Sequence, residues 1–162
     1  MKTATAHARR STTPKVERLG ALSAEDASRL GELALQLSPD ARFDAAALAR
    51  SIQRGETAVF VLRCRSRIVA SATAVCFATP TGSHCRIEDV VVDERRRGGG
   101  LGRRIMQGVL DALRSMNVEH VELTSRPSRI AATTLYRSLG FTPRKTGVYE
   151  LHLQQPKGPK RT

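Results

Sequence analysis

Residues 97–102 read Arg-Gly-Gly-Gly-Leu-Gly, between an apolar run, Ile87-Glu88-Asp89-Val90-Val91-Val92, and a segment with helical apolar spacing that starts at about Leu101. Glycines let successive backbone N–H groups converge on one point, and a helix N-terminus adds about half a positive charge. Arg95, Arg96, Arg97, Arg103 and Arg104 flank the turn, and no acid lies inside it. This combination is a site for phosphates. An ATP-type loop needs Gly-Lys-Ser/Thr at its end, whereas this one ends Gly102-Arg103-Arg104. A dinucleotide fingerprint needs G-x-G-x-x-G; counted from Gly98 the last position is Arg103, and from Gly100 it is Ile105. What is left is Arg97-x-x-Gly100-x-Gly102 after a strand and opening a helix.

Downstream, residues 118–125 read as the next strand, followed by Ala132-x-x-Leu135-Tyr136-x-x-Leu139-Gly140-Phe141. The two patterns together resemble the signatures of the GNAT superfamily of N-acetyltransferases, R/Q-x-x-G-x-G/A and A-x-x-L-Y-x-x-L-G-F. The resemblance covers about residues 55–153. It implies an α/β fold with a GNAT-type mixed, mostly antiparallel central sheet flanked by helices, in a single domain. It also implies acetyl-coenzyme A as co-substrate, with no metal. The coenzyme-binding set would be Val90, Val91, Val92, Arg97, Gly98, Gly99, Gly100, Leu101, Gly102 and Arg103. In one departure, Arg129 stands where the family has an Asn that contacts the coenzyme. Arg129 is expected either to reach a phosphate or to lie in solvent.

Attack of an amine on a thioester needs a held coenzyme, a neutral amine, support for the oxyanion and a proton for the leaving thiolate. By resemblance, the Val90 and Val92 backbone pairs with the pantetheine arm, and the Val90 N–H polarises the acyl carbonyl. An alkyl amine has a pKa near about 10.4, so a base helps at neutral pH. Glu88 and Asp89 are the candidates; this strand is similar to that of glucosamine-6-phosphate N-acetyltransferases, where the two acids lie in the amine pocket. Strict alternation puts Glu88 on the face of Val90 and Val92 and Asp89 on the other, unless a bulge intervenes. Glu88 is favoured as base, against a reading in which it only pairs with Arg86. Tyr136 takes the family's general-acid position. His84 and His120 fall at strand starts and are expected at the surface.

The elements that position these groups follow from pattern. A strand is expected within residues 16–22, then a helix capped by Ser23 with Ala27, Leu30, Leu33, Ala34 and Leu37 on one face. A second helix covers Asp44 to Arg54 and closes at Gly55. Thr57–Cys64 and Ile68–Phe77 form a hairpin, and Cys85–Val92 is the central strand. Leu101, Ile105, Met106, Val109, Leu110, Leu113 and Met116 make a core-facing helical stripe. Ser128 caps the Tyr136 helix, Gly140 ends it, and Val148–Leu153 supplies a last strand.

A chain of 162 residues suits one domain with its own core. Its net charge of +12 is concentrated in residues 1–18 (+4), 95–104 (+5) and 154–162 (+3), and the rest balances. The expected boundaries are a disordered basic tail over 1–13, an acetyltransferase domain over 14–153 and a second basic tail over 154–162. With no Trp, two Tyr and four Phe, a stacking platform for single-stranded nucleic acid is disfavoured. No apolar stretch approaches membrane-spanning length and no secretory signal is seen. Cys64, Cys76 and Cys85 have no zinc spacing and are expected as buried reduced thiols in a cytoplasmic protein. The expected partners are acetyl-coenzyme A and an amine acceptor, with no membrane and with a homodimer left open. The reading is an N-acetyltransferase acting by direct attack, with a small-molecule amine favoured over a protein amine. The alternative is a non-catalytic acyl-coenzyme A sensor or regulatory protein on the same fold.

Overall fold

Side-chain caps set the first two helices. Ser23 Oγ accepts from the Asp26 N–H at 3.1 Å, and α1 runs over Ala24–Leu37. The Asp44 carboxylate accepts from the Ala47 N–H at 2.8 Å and starts α2, Ala45–Gln53. Gly55, at a φ of +71°, ends that segment. The computed structural model describes residues 14–151 and 153. The expected tails, 1–13 and 154–162, lie outside the described residues, as does His152.

Five strands form one sheet in the order β1-β2-β3-β4-β5. They are β1 Val16–Arg18, β2 Thr57–Cys64, β3 Arg67–Thr79, β4 Gly82–Val92 and β5 His120–Leu123. Neighbours are antiparallel from β1 to β4, and β4 and β5 are parallel. Helix α3, Leu101–Ser115, follows the glycine turn, and α4, Ile130–Ser138, follows β5. This is the expected mixed sheet flanked by helices. Ile105, Met106, Val109, Leu110 and Leu113 of α3 are buried on one face of the sheet against Phe60, Leu62, Ala72, Cys85 and Ile87. Leu30 and Leu33 of α1 and Ile52 of α2 cover the other face, against Val59, Val61, Ile68 and Val91.

Several expectations are corrected. The first strand has only three residues because the chain bends at Gly20, although the Leu19 N–H still donates to Val59 O at 2.8 Å. Met116 lies past the last turn of α3 and is exposed, so the core stripe stops at Leu113. Among the described residues of the expected strand 148–153 no strand is formed: Val148, Tyr149, Leu151 and Leu153 are exposed. Strand propensity expresses fit against a neighbouring strand, and none lies beside this segment among the described residues. Cys76 and Cys85 are not reduced thiols. They face each other across β3 and β4, 4.0 Å apart at Cα, and form a disulfide, which leaves Cys64 as the free cysteine among the described residues. The pairing depends on strand register, which cysteine spacing does not reveal.

A buried ion pair ties α1 to the far end of the sheet. Arg29 is 6% exposed; its Nε donates to Ile68 O at 2.9 Å and its Nη2 to the Asp93 carboxylate. Asp93 Oδ1 in turn accepts from the Arg95 N–H at 3.1 Å and opens the single turn Glu94–Arg96. Burial pushes the Asp93 carboxyl up, but the Arg95 N–H and the Arg29 guanidinium outweigh it, and the net shift is downward. Its stabilising contribution is therefore present above the ordinary carboxylate range and is lost as pH falls below it. Arg29→Met leaves Asp93 buried without its cation. We expect a loss of about 3–5 kcal/mol, on the order of 10 °C in Tm, read by thermal circular dichroism. Adding Asp93→Asn, which keeps the cap but removes the charge, should recover part of it. A single variant as stable as the wild type would contradict this.

Candidate active site

The centre of the site is a defect in β4. Thr73 lies opposite Glu88 and Ser71 opposite Val91. The two-residue step on β3 thus matches a three-residue step on β4, and the extra residue falls at Asp89-Val90. Asp89 there has a φ of +50°, a left-handed conformation that Asp tolerates better than most residues. The bulge resets sidedness: Val90 and Val92 pack against the same cluster as Ile87, under α3, while Val91 joins the cluster under α1. Glu88, next to Ile87 and before the bulge, therefore faces away from Val90 and Val92. The shared face expected from strict alternation is corrected.

β5 pairs with β4 only from His84 to Ile87. Beyond Ile87 that edge of β4 has no strand beside it among the described residues, and two cavities open along it. The larger, about 590 Å³, is bounded by Val90–Val92, by Arg97, Gly98, Gly100, Leu101 and Gly102, and by α4 through Leu135 and Tyr136. The smaller, about 390 Å³, is bounded by Glu88, Asp89, Thr124, Ser125 and Arg126. Leu37, Val90, Arg129 and Tyr136 border both. Gly99 and Arg103 border neither; Arg103 Nη2 donates to Ser138 Oγ at 2.6 Å.

The glycine turn has the properties of an anion cradle. Gly98 and Gly100 have φ values of +79° and +73°, a region that suits glycine. Gly100 caps α3 without a side-chain hydrogen bond, and the first turn of α3 carries no acid. Its N–H groups are thus left for a ligand. A Cβ at Gly102 would lie 3.3 Å from Leu135 Cδ2, so α3 meets α4 closely there. Arg97 Nε donates to Val92 O at 3.2 Å, folding that side chain back along β4.

Arg129 is neither a free surface residue nor aligned as a helix cap. It holds the N-cap position of α4 without capping, and its Nη2 donates to Leu37 O at 2.7 Å. The expected cap at Ser128 is corrected. Tyr136 is half-buried and packs edge-on to Phe141, with centroids 6.1 Å apart. Burial pushes its hydroxyl up, and the nearby Arg129 charge partly offsets this, so the phenol stays protonated. His84 is near the start of β4 but only partly exposed, stacked between Phe77 and His120 at 5.7 and 5.1 Å; His120 is exposed as expected. The walls supplied by Ser125 and Arg126 carried no sequence signal, because only the fold brings the β5–α4 loop to β4.

Glu88 is held near charge without being neutralised. Arg86 gives both Nε and Nη2 to Glu122, at 3.0 and 2.6 Å, and reaches Glu88 only at 3.8 Å. Burial pushes the Glu88 carboxyl up; Arg86 pulls it down, and Asp89 and Glu122 push it up again, for a net rise. Arg86→Ala removes the one lowering influence on Glu88 and leaves Glu122 with only the 3.9 Å contact to Arg144. The Glu88 titration, followed by carboxyl-carbon NMR, should move to still higher pH. A downward movement would contradict the charge arrangement described.

The sequence matches the acetyltransferase (GNAT) family over residues 26–141. No curated protein matches it. Among solved structures, an acetyltransferase of Trypanosoma brucei is 27% identical, with a TM-score of 0.69 over 86% of this chain and 100% of that one. Glucosamine-6-phosphate N-acetyltransferase of Arabidopsis thaliana is 22% identical, with a TM-score of 0.68 over 86% and 99%. A transcriptional regulator of Bacillus halodurans C-125 is 16% identical, with a TM-score of 0.75 over 87% and 100%. The last two likenesses concern the fold alone. The family match spans most of the chain and both sides of the bulged strand, and the protein belongs to the GNAT acetyltransferase family.

Proposed function

We propose that the protein transfers an acetyl group from acetyl-coenzyme A to a primary amine by direct attack. The observation that carries this reading is the meeting of the two cavities at Val90, Arg129 and Tyr136. One side offers an anion cradle and an open strand edge; the other offers carboxylates. The N–H groups from Gly98 to Gly102 and the Arg97 charge suit a pyrophosphate. The open edge of Val90–Val92 suits an extended amide-bearing arm, which would pair with it as a strand does.

Each remaining demand of the reaction has a group at the junction or in the smaller cavity. Glu88, with Asp89 beside it, takes a proton from the bound ammonium. The freed nitrogen attacks the thioester carbon, and the Val90 N–H donates to the developing oxyanion, a contribution of about 3–4 kcal/mol in sites of this kind. As the carbon–sulfur bond breaks, the Tyr136 hydroxyl donates its proton to the thiolate. The attacking nitrogen loses its second proton to solvent as the amide forms, Glu88 passes its proton to solvent, and Tyr136 is reprotonated from solvent, so one proton is released per turnover. A coenzyme sensor would need only the cradle and the strand edge; Tyr136 at the junction and Glu88 in the adjoining smaller cavity favour catalysis.

Two experiments test this. Gly100→Glu places a carboxylate in the cradle at a position where a Cβ meets no atom within 4 Å, at a backbone cost of about 1–2 kcal/mol. Acetyl-coenzyme A binding by calorimetry should be lost with the circular dichroism spectrum kept; unchanged affinity would place the coenzyme elsewhere. Tyr136→Phe keeps the ring against Phe141 and removes only the hydroxyl. kcat should fall about 10²-fold or more, with the KM for acetyl-coenzyme A nearly kept. A wild-type kcat would return Tyr136 to a packing role.

A further inference from the structure

The smaller cavity joins two kinds of charge that do not answer one another. Glu88 and Asp89 stand on β4, and Arg126 stands on the loop between β5 and α4. Neither the Asp89 nor the Arg126 side chain has a hydrogen-bond or ion-pair partner among the described residues, and Glu88 has only the 3.8 Å contact to Arg86. The other bases nearby are committed: Arg86 to Glu122, and Arg129 to Leu37 O. We propose that the acceptor is an amine carrying an anionic group, carboxylate or phosphate, a few bonds from its nitrogen, with Glu88 and Asp89 drawing the ammonium and Arg126 holding the anion.

The proposal rests on the acetyltransferase reading above and gives its acceptor a chemical class. A plain alkylamine would satisfy the acids and leave Arg126 unanswered. A polyamine would bring its second cation toward Arg126 and Arg129. A group bearing both charges matches both walls, and the guanidinium fork suits carboxylate and phosphate alike. The cavity volume of about 390 Å³ falls in the range of small-molecule sites.

The test is a free-thiol release assay with acetyl-coenzyme A and four acceptors: β-alanine, 2-aminoethyl phosphate, ethanolamine and 1,3-diaminopropane. At least one anionic member should exceed both others in kcat/KM by about ten-fold, the scale of one charge-assisted hydrogen bond. The two anionic members against each other show whether carboxylate or phosphate is preferred. Arg126→Ala should bring the ratio of anionic to other acceptors to within about two-fold, with the KM for acetyl-coenzyme A held. Ethanolamine or the diamine performing as well as the anionic members would overturn the proposal. So would Arg126→Ala raising the coenzyme KM with the acceptor ratio unchanged, or a coenzyme-binding protein that acetylates none of the four. Failure to bind acetyl-coenzyme A in calorimetry would instead overturn the acetyltransferase reading itself.

Discussion

The extra residue at Asp89-Val90 governs how the rest of the molecule is used. A regular β4 would carry its alternation through Val92, and Val90 and Val92 would then sit on the face of Glu88. The bulge instead returns Val90 and Val92 to the side of α3 and α4, and leaves Glu88 on the other face. Because β5 stops opposite Ile87, the same stretch also has a free backbone edge. Buried or half-buried backbone N–H and C=O groups need partners. In the proposed function an extended ligand arm would provide them where no strand does. The position of the glycine turn follows, since it begins immediately after this edge.

Electrostatics holds that turn in place from the opposite side of the sheet. Arg29 reaches from α1 to Asp93, and Asp93 orients the backbone at Arg95. A second α1 residue, Gln36, accepts from the Glu94 N–H at 2.9 Å. Helix α1 therefore does more than cover the sheet: it fixes the start of the cradle and, through Leu37 O, the guanidinium of Arg129. The acids and bases are partitioned by the same framework. Arg63 is engaged by Asp26 and Glu17, and Arg86 by Glu122. Asp89 and Arg126, unmatched within the described residues, both line the smaller cavity.

Local chemistry was readable from the sequence, and contacts between distant segments were not. Ser23, Asp44 and Gly55 mark helix ends through interactions within a few residues, so pattern alone locates them. The stripe from Ile105 to Leu113 is visible for the same reason. The glycine turn and the Tyr136 signature were legible because each lies within one short segment, and the fold then brings Tyr136 to Val90. The Cys76–Cys85 pair, the facing of Glu88 and the hold of Leu37 on Arg129 each depend on register or on packing across many residues. Ser128 had the right type for a cap, but α4 begins with Arg129 at the cap position. The apolar alternation near Val148 was real in the sequence, yet the segment pairs with no strand in this structure.

In the proposed function the free edge of β4 and the glycine turn together hold acetyl-coenzyme A. Backbone amide NMR during titration with acetyl-coenzyme A reads both at once. The Val90 and Val92 amides and those from Gly98 to Gly102 should shift and gain protection from hydrogen exchange, while β2 is unchanged. Saturable binding that leaves Val90, Val92 and the glycine amides unperturbed would contradict it.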